Sequence, residues 1–159
     1  MKKMFSIAAI LSFIVVSLGI IGPAMSEGLS DSFYVTAAAG ASRVQDGPAA
    51  GEEGTALSAS IGLKATDWLG VEAGYTELDR VGTFKPKGYS VSAVAGKTIA
   101  GFVPYGRVGA FKNDHGDASP LLGLGVGWKM VTLEYQRIEK MNVGTGEDAV
   151  DVLLLGLTF

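Results

Sequence analysis

The sequence predicts an all-β chain: an eight-stranded antiparallel up-and-down transmembrane β-barrel preceded by a cleavable signal peptide. Three observations carry that expectation. After the first thirty residues, apolar and polar side chains alternate with period two almost without interruption, the signature of strands with two unlike faces. Short and long connections alternate between those strands, as they do when hairpins are closed into a barrel with tight turns at one end and longer loops at the other. The composition fits a small lumen: 23 of 159 residues are glycine and only 18% are charged.

The N-terminal segment reads as an export address. Met1-Lys2-Lys3 is basic, Met4 to Ile21 is apolar apart from four Ser or Gly, and Gly22-Pro23 precedes the small-x-small site Ala24-Met25-Ser26. That order matches a secretory signal peptide. The alternative is an uncleaved anchor, because about 18 apolar residues just suffice to cross a bilayer. The expected division is residues 1–26 as signal peptide, cut after Ser26 or Ala24, and residues 27–159 as the barrel. Without Lys2 and Lys3 the remaining 133 residues hold 11 bases and 16 acids. No later stretch is long and apolar enough to cross a membrane as a helix.

Eight strands of about ten residues follow, at Phe33–Ser42, Thr55–Lys64, Trp68–Glu77, Gly88–Lys97, Phe102–Phe111, Pro120–Lys129, Val131–Glu139 and Ala149–Phe159. One face carries residues such as Leu57, Ile61, Val71, Val91, Leu124, Leu133 and Leu155. The other is mostly Ser, Gly and Thr with few charges. A soluble barrel would turn the apolar face inward, but its exterior would then be glycine and serine. A membrane barrel turns the apolar face to lipid and keeps small or polar residues inside. Aromatic placement favours the membrane. Phe33, Phe102, Trp128 and Phe159 gather at the tight-turn end, Tyr75 and Tyr89 at the long-loop end, and Tyr135 lies above the middle. Such paired belts suit the two membrane interfaces.

The composition excludes much chemistry. Zero cysteine removes disulfides, thiolate metal sites and thiol nucleophiles, and a single histidine leaves little for a zinc or catalytic cluster. Sixteen acids against thirteen bases disfavour nucleic acid as a partner. No metal, cofactor or enzymatic activity is expected.

Candidate sites remain. Glu72, Arg107 and Glu134 should point into the lumen near the membrane middle, where an unpaired charge is costly. They read as a structural ion network or as the gate of a narrow pore. Asn113-Asp114-His115-Gly116-Asp117 reads as a solvated turn, with a divalent cation as the competing view. His115 with Ser119 is the only pairing resembling a lipid-modifying catalytic centre. Arg43, Lys85, Lys87, Lys112, Arg137 and Lys140 at the long-loop end suit lipopolysaccharide phosphates, although Glu52, Glu53, Asp79, Glu147 and Asp148 share that end.

Several stretches resemble the transmembrane domain of the OmpA family, including its truncated OmpX-type relatives. Leu69-Gly70-Val71-Glu72-Ala73-Gly74-Tyr75 is similar to that family's third strand, and Pro104-Tyr105-Gly106-Arg107-Val108-Gly109 to its fifth. Ser119-Pro120 through Trp128 resembles the sixth, and Leu133-Glu134-Tyr135-Gln136 the seventh. The resemblance implies an outer-membrane barrel of eight strands, a monomer among outer-membrane lipid and lipopolysaccharide. It also implies a terminal signal, Leu155, Leu157 and Phe159, read by the outer-membrane assembly machinery. Two departures limit it. The family's periplasmic peptidoglycan-binding domain is not expected here. Of its internal ion-pair switch only the first glutamate, at Glu72, is matched; the remaining partners fall at Val94, Gly127 and Thr132. The expected role is structural or surface-interacting, with four exposed loops on a packed barrel. A small gated pore is the alternative, and a lipid-modifying enzyme comes after it.

Overall fold

The computed structural model describes residues 32–45, 50–79, 85–114, 117–142 and 147–159. The proposed signal peptide therefore lies outside the described residues, as do His115 and Gly116. Eight strands, β1 (Phe33–Val44), β2 (Glu53–Lys64), β3 (Leu69–Leu78), β4 (Lys87–Gly96), β5 (Phe102–Asn113), β6 (Ala118–Trp128), β7 (Val131–Asn142) and β8 (Glu147–Thr158), form one closed barrel in chain order. Every neighbouring pair is antiparallel, and β1 closes on β8 with Thr36 opposite Thr158 and Val44 opposite Val150. No backbone edge is left open along the wall, as crossing lipid requires.

Following paired residues once round the wall from Arg43 passes Asp151, Arg137, Leu122, Val108, Ala93, Val71 and Leu63. It returns to β1 at Phe33, ten residues back along the strand. A shear of ten over eight strands tilts them by about 40°. The nine apolar-faced residues Phe33–Ala41 then rise roughly 23 Å, close to the usual lipid belt.

The turns at one end are tight for local reasons. Thr66 Oγ1 accepts from the amides of Trp68 and Leu69 at 3.3 and 3.0 Å, which holds Trp68 in the turn and starts β3 one residue later than expected. Ala100 and Gly101 both have positive φ, 52° and 85°, matching the twist of a two-residue hairpin closed by reciprocal Ile99–Phe102 bonds. Lys129, also at positive φ, makes the third turn with Met130. At the other end β1, β2, β5, β6, β7 and β8 run two or three residues further toward the loops than period two predicts.

The apolar face is the outer face. Leu57, Ile61, Val91 and Leu124 are exposed, Leu124 to 70%, so the soluble-barrel alternative fails. The inner face departs from expectation toward the long loops. There Val44, Leu78, Phe111, Leu121, Ile138, Met141, Val150 and Val152 turn inward and form one cluster, each exposed by 1% or less. The polarity of the wall has inverted: at this level the outward positions are Arg43, Glu53, Glu77, Lys87, Lys112, Arg137 and Asp151. The simple rule of small or polar inside holds only where lipid is outside. Beyond the lipid, water lies outside and the barrel is built like a soluble one.

Candidate functional site

Below the apolar cluster, the inward positions of β3, β5 and β7 bring Glu72, Arg107 and Glu134 together. Arg107 Nε lies 2.7 Å from Glu134 Oε1, and its Nη2 lies 3.2 Å from Glu134 Oε2 and 2.8 Å from Glu72 Oε1. The three side chains are 4 to 8% exposed. The planar guanidinium suits this role because its fork grips one carboxylate edge-on while a further N–H reaches the second. Arg107 Nη1 also donates to Ser92 Oγ at 3.2 Å.

Hydroxyl and amide donors complete the carboxylates. Tyr34 donates to Glu72 Oε2 at 3.0 Å and Tyr105 to Glu134 Oε2 at 2.8 Å. Gln136 Nε2 donates to Glu134 Oε1 at 2.9 Å. Each carboxylate oxygen thus faces at least one donor group, the condition under which buried charge is tolerable. The period-two pattern brings the three charges to one face together with Ser92 and Gln136, but it assigns neither of these to the network and misses Tyr34 and Tyr105. A signal existed: Tyr34 faces Gly62 and Tyr105 faces Gly125 across the ladder. A Cβ at either glycine would overlap the tyrosine ring. Each ring therefore lies flat over a neighbouring strand, in space that glycine leaves open.

Arg107 itself is the lumen cation that the sequence predicts. Across the ladder Arg107 is the register partner of Val94, which leaves its guanidinium without a second charge on β4. Beside the network is a cavity of about 20 Å³ lined by Thr36, Ser58, Thr76, Ser90, Thr132 and Leu154, among others. That is room for about one water.

The other candidate residues are dispersed. Ser119 Oγ donates to the Lys140 carbonyl at 3.0 Å, so its proton is engaged by backbone, and its expected partner His115 is outside the described residues. Among the described residues no cluster of three metal-ligating side chains forms. At the long-loop end Lys85 sits 3.9 Å from Asp79 and Lys87 3.7 Å from Asp114. Arg137 lies between Glu139 and Asp151, at 2.5 and 3.8 Å. The girdle residues Phe33, Tyr75, Tyr89, Phe102, Trp128, Tyr135 and Phe159 lie on the outer face. Tyr75 and Tyr89 pack at 5.2 Å and Phe102 stacks on Trp128 at 6.3 Å. Leu155 and Leu157 face outward with them, and the Phe159 amide bonds to the Val35 carbonyl at 2.8 Å.

This closed wall, with lipid-facing leucines outside and an ion network within, has close structural counterparts. The chain has the fold of the small outer-membrane barrels. Neisserial surface protein A superposes with a TM-score of 0.62 at 21% identity, over 79% of this chain and 95% of that one. The N-terminal barrel of Pseudomonas aeruginosa OprF gives 0.54 at 16% identity, over 82% and 98%. A transmembrane barrel designed de novo gives 0.55 at 12% identity, over 84% and 99%. No family model and no curated protein matches the sequence. The OmpA-like resemblance is therefore borne out as fold. The designed barrel shares that fold without an evolved role, so the fold alone assigns none.

Proposed function

We propose that this chain is an exported, monomeric outer-membrane barrel with a structural and surface-interaction role. It presents four loops on a lumen closed to solute flow. The observation that carries this reading is the filling of the lumen at two successive levels. The Arg107 network bridges β3, β5 and β7, and the apolar cluster around Phe111 and Leu121 lies between it and the loops. An ion would have to pass both, and the lumen cavity beside the network, about 20 Å³, has room for about one water.

In this reading the C-terminal residues Leu155, Leu157 and Phe159 present the strand that the assembly machinery takes up. Arg43, Lys112 and Lys140 are the strongest lipopolysaccharide-phosphate contacts, because none of them has a carboxylate within 4 Å among the described residues. A catalytic role is disfavoured by the engagement of Ser119 with backbone.

Two measurements test the proposal. Outer membranes run in SDS unheated and boiled should give a heat-dependent shift for this protein, since a closed ladder resists SDS when cold. Planar-bilayer recordings should be silent for wild type and for Arg107→Ala alike, because the apolar cluster still closes the lumen when the network is broken. Discrete conductance steps in the wild type would replace this reading with the pore.

A further inference from the structure

The three tight turns share a composition that neither the network nor the loops explain. Each carries one lysine and one large apolar residue: Lys64 with Trp68, Lys97 with Ile99, Lys129 with Met130. All three lysines are exposed. So are the apolar side chains, to 58% at Trp68, 60% at Ile99 and 49% at Met130. Turns that sit in water are built from Gly, Asn, Asp and Ser; a tryptophan, an isoleucine and a methionine at three successive tips are not that chemistry. The charges are equally uneven. Asp67 is the one acidic side chain among these turns, and none of the three lysines has a carboxylate within 4 Å among the described residues. At the long-loop end three of the six bases are paired, Lys85 and Lys87 with one carboxylate each and Arg137 with two, and acids stand beside the others: Arg43 is the register partner of Glu53 and Asp151. Lys129 instead lies over the Trp128 ring, 5.0 Å from its centroid, which places a cation directly on the aromatic belt.

We infer that this rim is a docking surface for the headgroups of anionic glycerophospholipids in the leaflet at the tight-turn end. The apolar tips enter the interface, where tryptophan in particular is favoured. The exposed lysines at the strand ends offer their ammonium groups to the phosphates. Charge complementarity selects this occupant over a second copy, since two such rims facing each other would set like charges together. The inference rests on the barrel spanning a bilayer, as proposed above.

The chain supplies its own reporter. Its two tryptophans, Trp68 and Trp128, both lie at this rim, so intrinsic tryptophan fluorescence reads no other part of the molecule. The full barrel is inserted into vesicles of phosphatidylcholine with a minority of phosphatidylglycerol, with brominated quenching chains on one lipid or the other. Insertion is first checked by heat-dependent migration. A chain that fails to insert overturns the membrane-barrel reading and this inference with it. A chain that inserts isolates the inference. At equal mole fraction, brominated phosphatidylglycerol should quench about twofold or more above brominated phosphatidylcholine, since each lysine at an anionic surface is worth roughly fivefold in local enrichment. The excess should vanish at about 1 M salt, where the screening length is about 3 Å. It should also vanish in K64Q/K97Q/K129Q and persist in K64R/K97R/K129R. If the glutamine variant does not insert, the wild-type preference and its salt dependence still decide. Equal quenching by the two lipids in the inserted wild type would overturn the inference and leave the lysines to an acidic protein partner.

Discussion

The lower and upper parts of the barrel are built from the same eight strands by opposite rules. In the lower part the wall turns aliphatic side chains such as Ile61, Leu124 and Leu155 toward lipid and folds its charges inward around Arg107. In the upper part Leu78, Phe111, Leu121 and Ile138 pack inside, while Arg43, Glu53, Arg137 and Asp151 form a charged row outside, linked by register pairs of Arg43 with Glu53 and of Asp151 with both arginines. The solvent outside the wall decides which rule applies. Lipid offers nothing to a charge, so charges go in and are paired; water rejects leucine, so the leucines go in and are packed. The strand register carries straight across the boundary.

The comparison is broken most severely at Arg107. Arg107→Ala removes the cation that both Glu72 and Glu134 face and leaves two buried carboxylates close together. The expected cost is about 3–5 kcal/mol, read as a lower urea midpoint of the barrel refolded in micelles. Adding Glu72→Gln and Glu134→Gln to that variant should restore much of the loss, because the tyrosine and glutamine donors then meet neutral acceptors. A single-variant loss below about 1 kcal/mol, the level of an exposed ion pair, would show that water reaches the network freely.

A smaller effect sharpens the difference between the two rules on one strand. Leu121 and Leu124 both lie on β6; Leu121 is 1% exposed inside the upper cluster and Leu124 is 70% exposed to lipid. Either leucine replaced by alanine loses its transfer out of water, about 1.5 kcal/mol or more. Only Leu121→Ala leaves a cavity, since fluid lipid chains close over the gap at position 124 while packed neighbours relax in part. Leu121→Ala should therefore cost about 3 kcal/mol, roughly twice Leu124→Ala, in paired unfolding curves. Equal losses would mean that the upper cluster is as deformable as lipid.

This division also explains what can be read from the sequence. Strand number, order and facing follow from period two, because each strand keeps its parity over most of its length. The ion network is half legible: Glu72, Arg107 and Glu134 stand out as charges among glycine and serine. Tyr34 and Tyr105 do not, because a tyrosine next to apolar residues reads as another belt aromatic unless its glycine partner on the neighbouring strand is known. The inverted upper cluster is hidden for a related reason. Alternation is blind to which face is inside, and a single assignment of apolar to lipid fails past the level where lipid ends. Trp68 reads as the first residue of a strand, which masks the repeated lysine-and-apolar content of the turns.

The smallest effect tests how the upper part gains its last inward side chain. Between Ile138 and Met141 the β7–β8 register shifts: Ile138 faces Val150, and Met141 faces Asp148. One extra residue on β7 lets both Ile138 and Met141 turn inward, at 1% and 0% exposure, which strict alternation forbids for positions three apart. The bulge sets Lys140 at φ 53°, a left-handed conformation that glycine adopts without cost and a lysine does not. If the bulge exists to seat Met141, Lys140→Gly should keep the geometry and relieve the strain. The gain should be below about 1 kcal/mol, with the same heat-dependent migration as wild type. Pairing it with Met141→Ala then separates cause from coincidence. Once the methionine is truncated the cluster no longer holds the bulge in place, and the benefit of glycine at position 140 should shrink. An undiminished gain would mean that the turn beyond β7, rather than the apolar cluster, fixes the bulge.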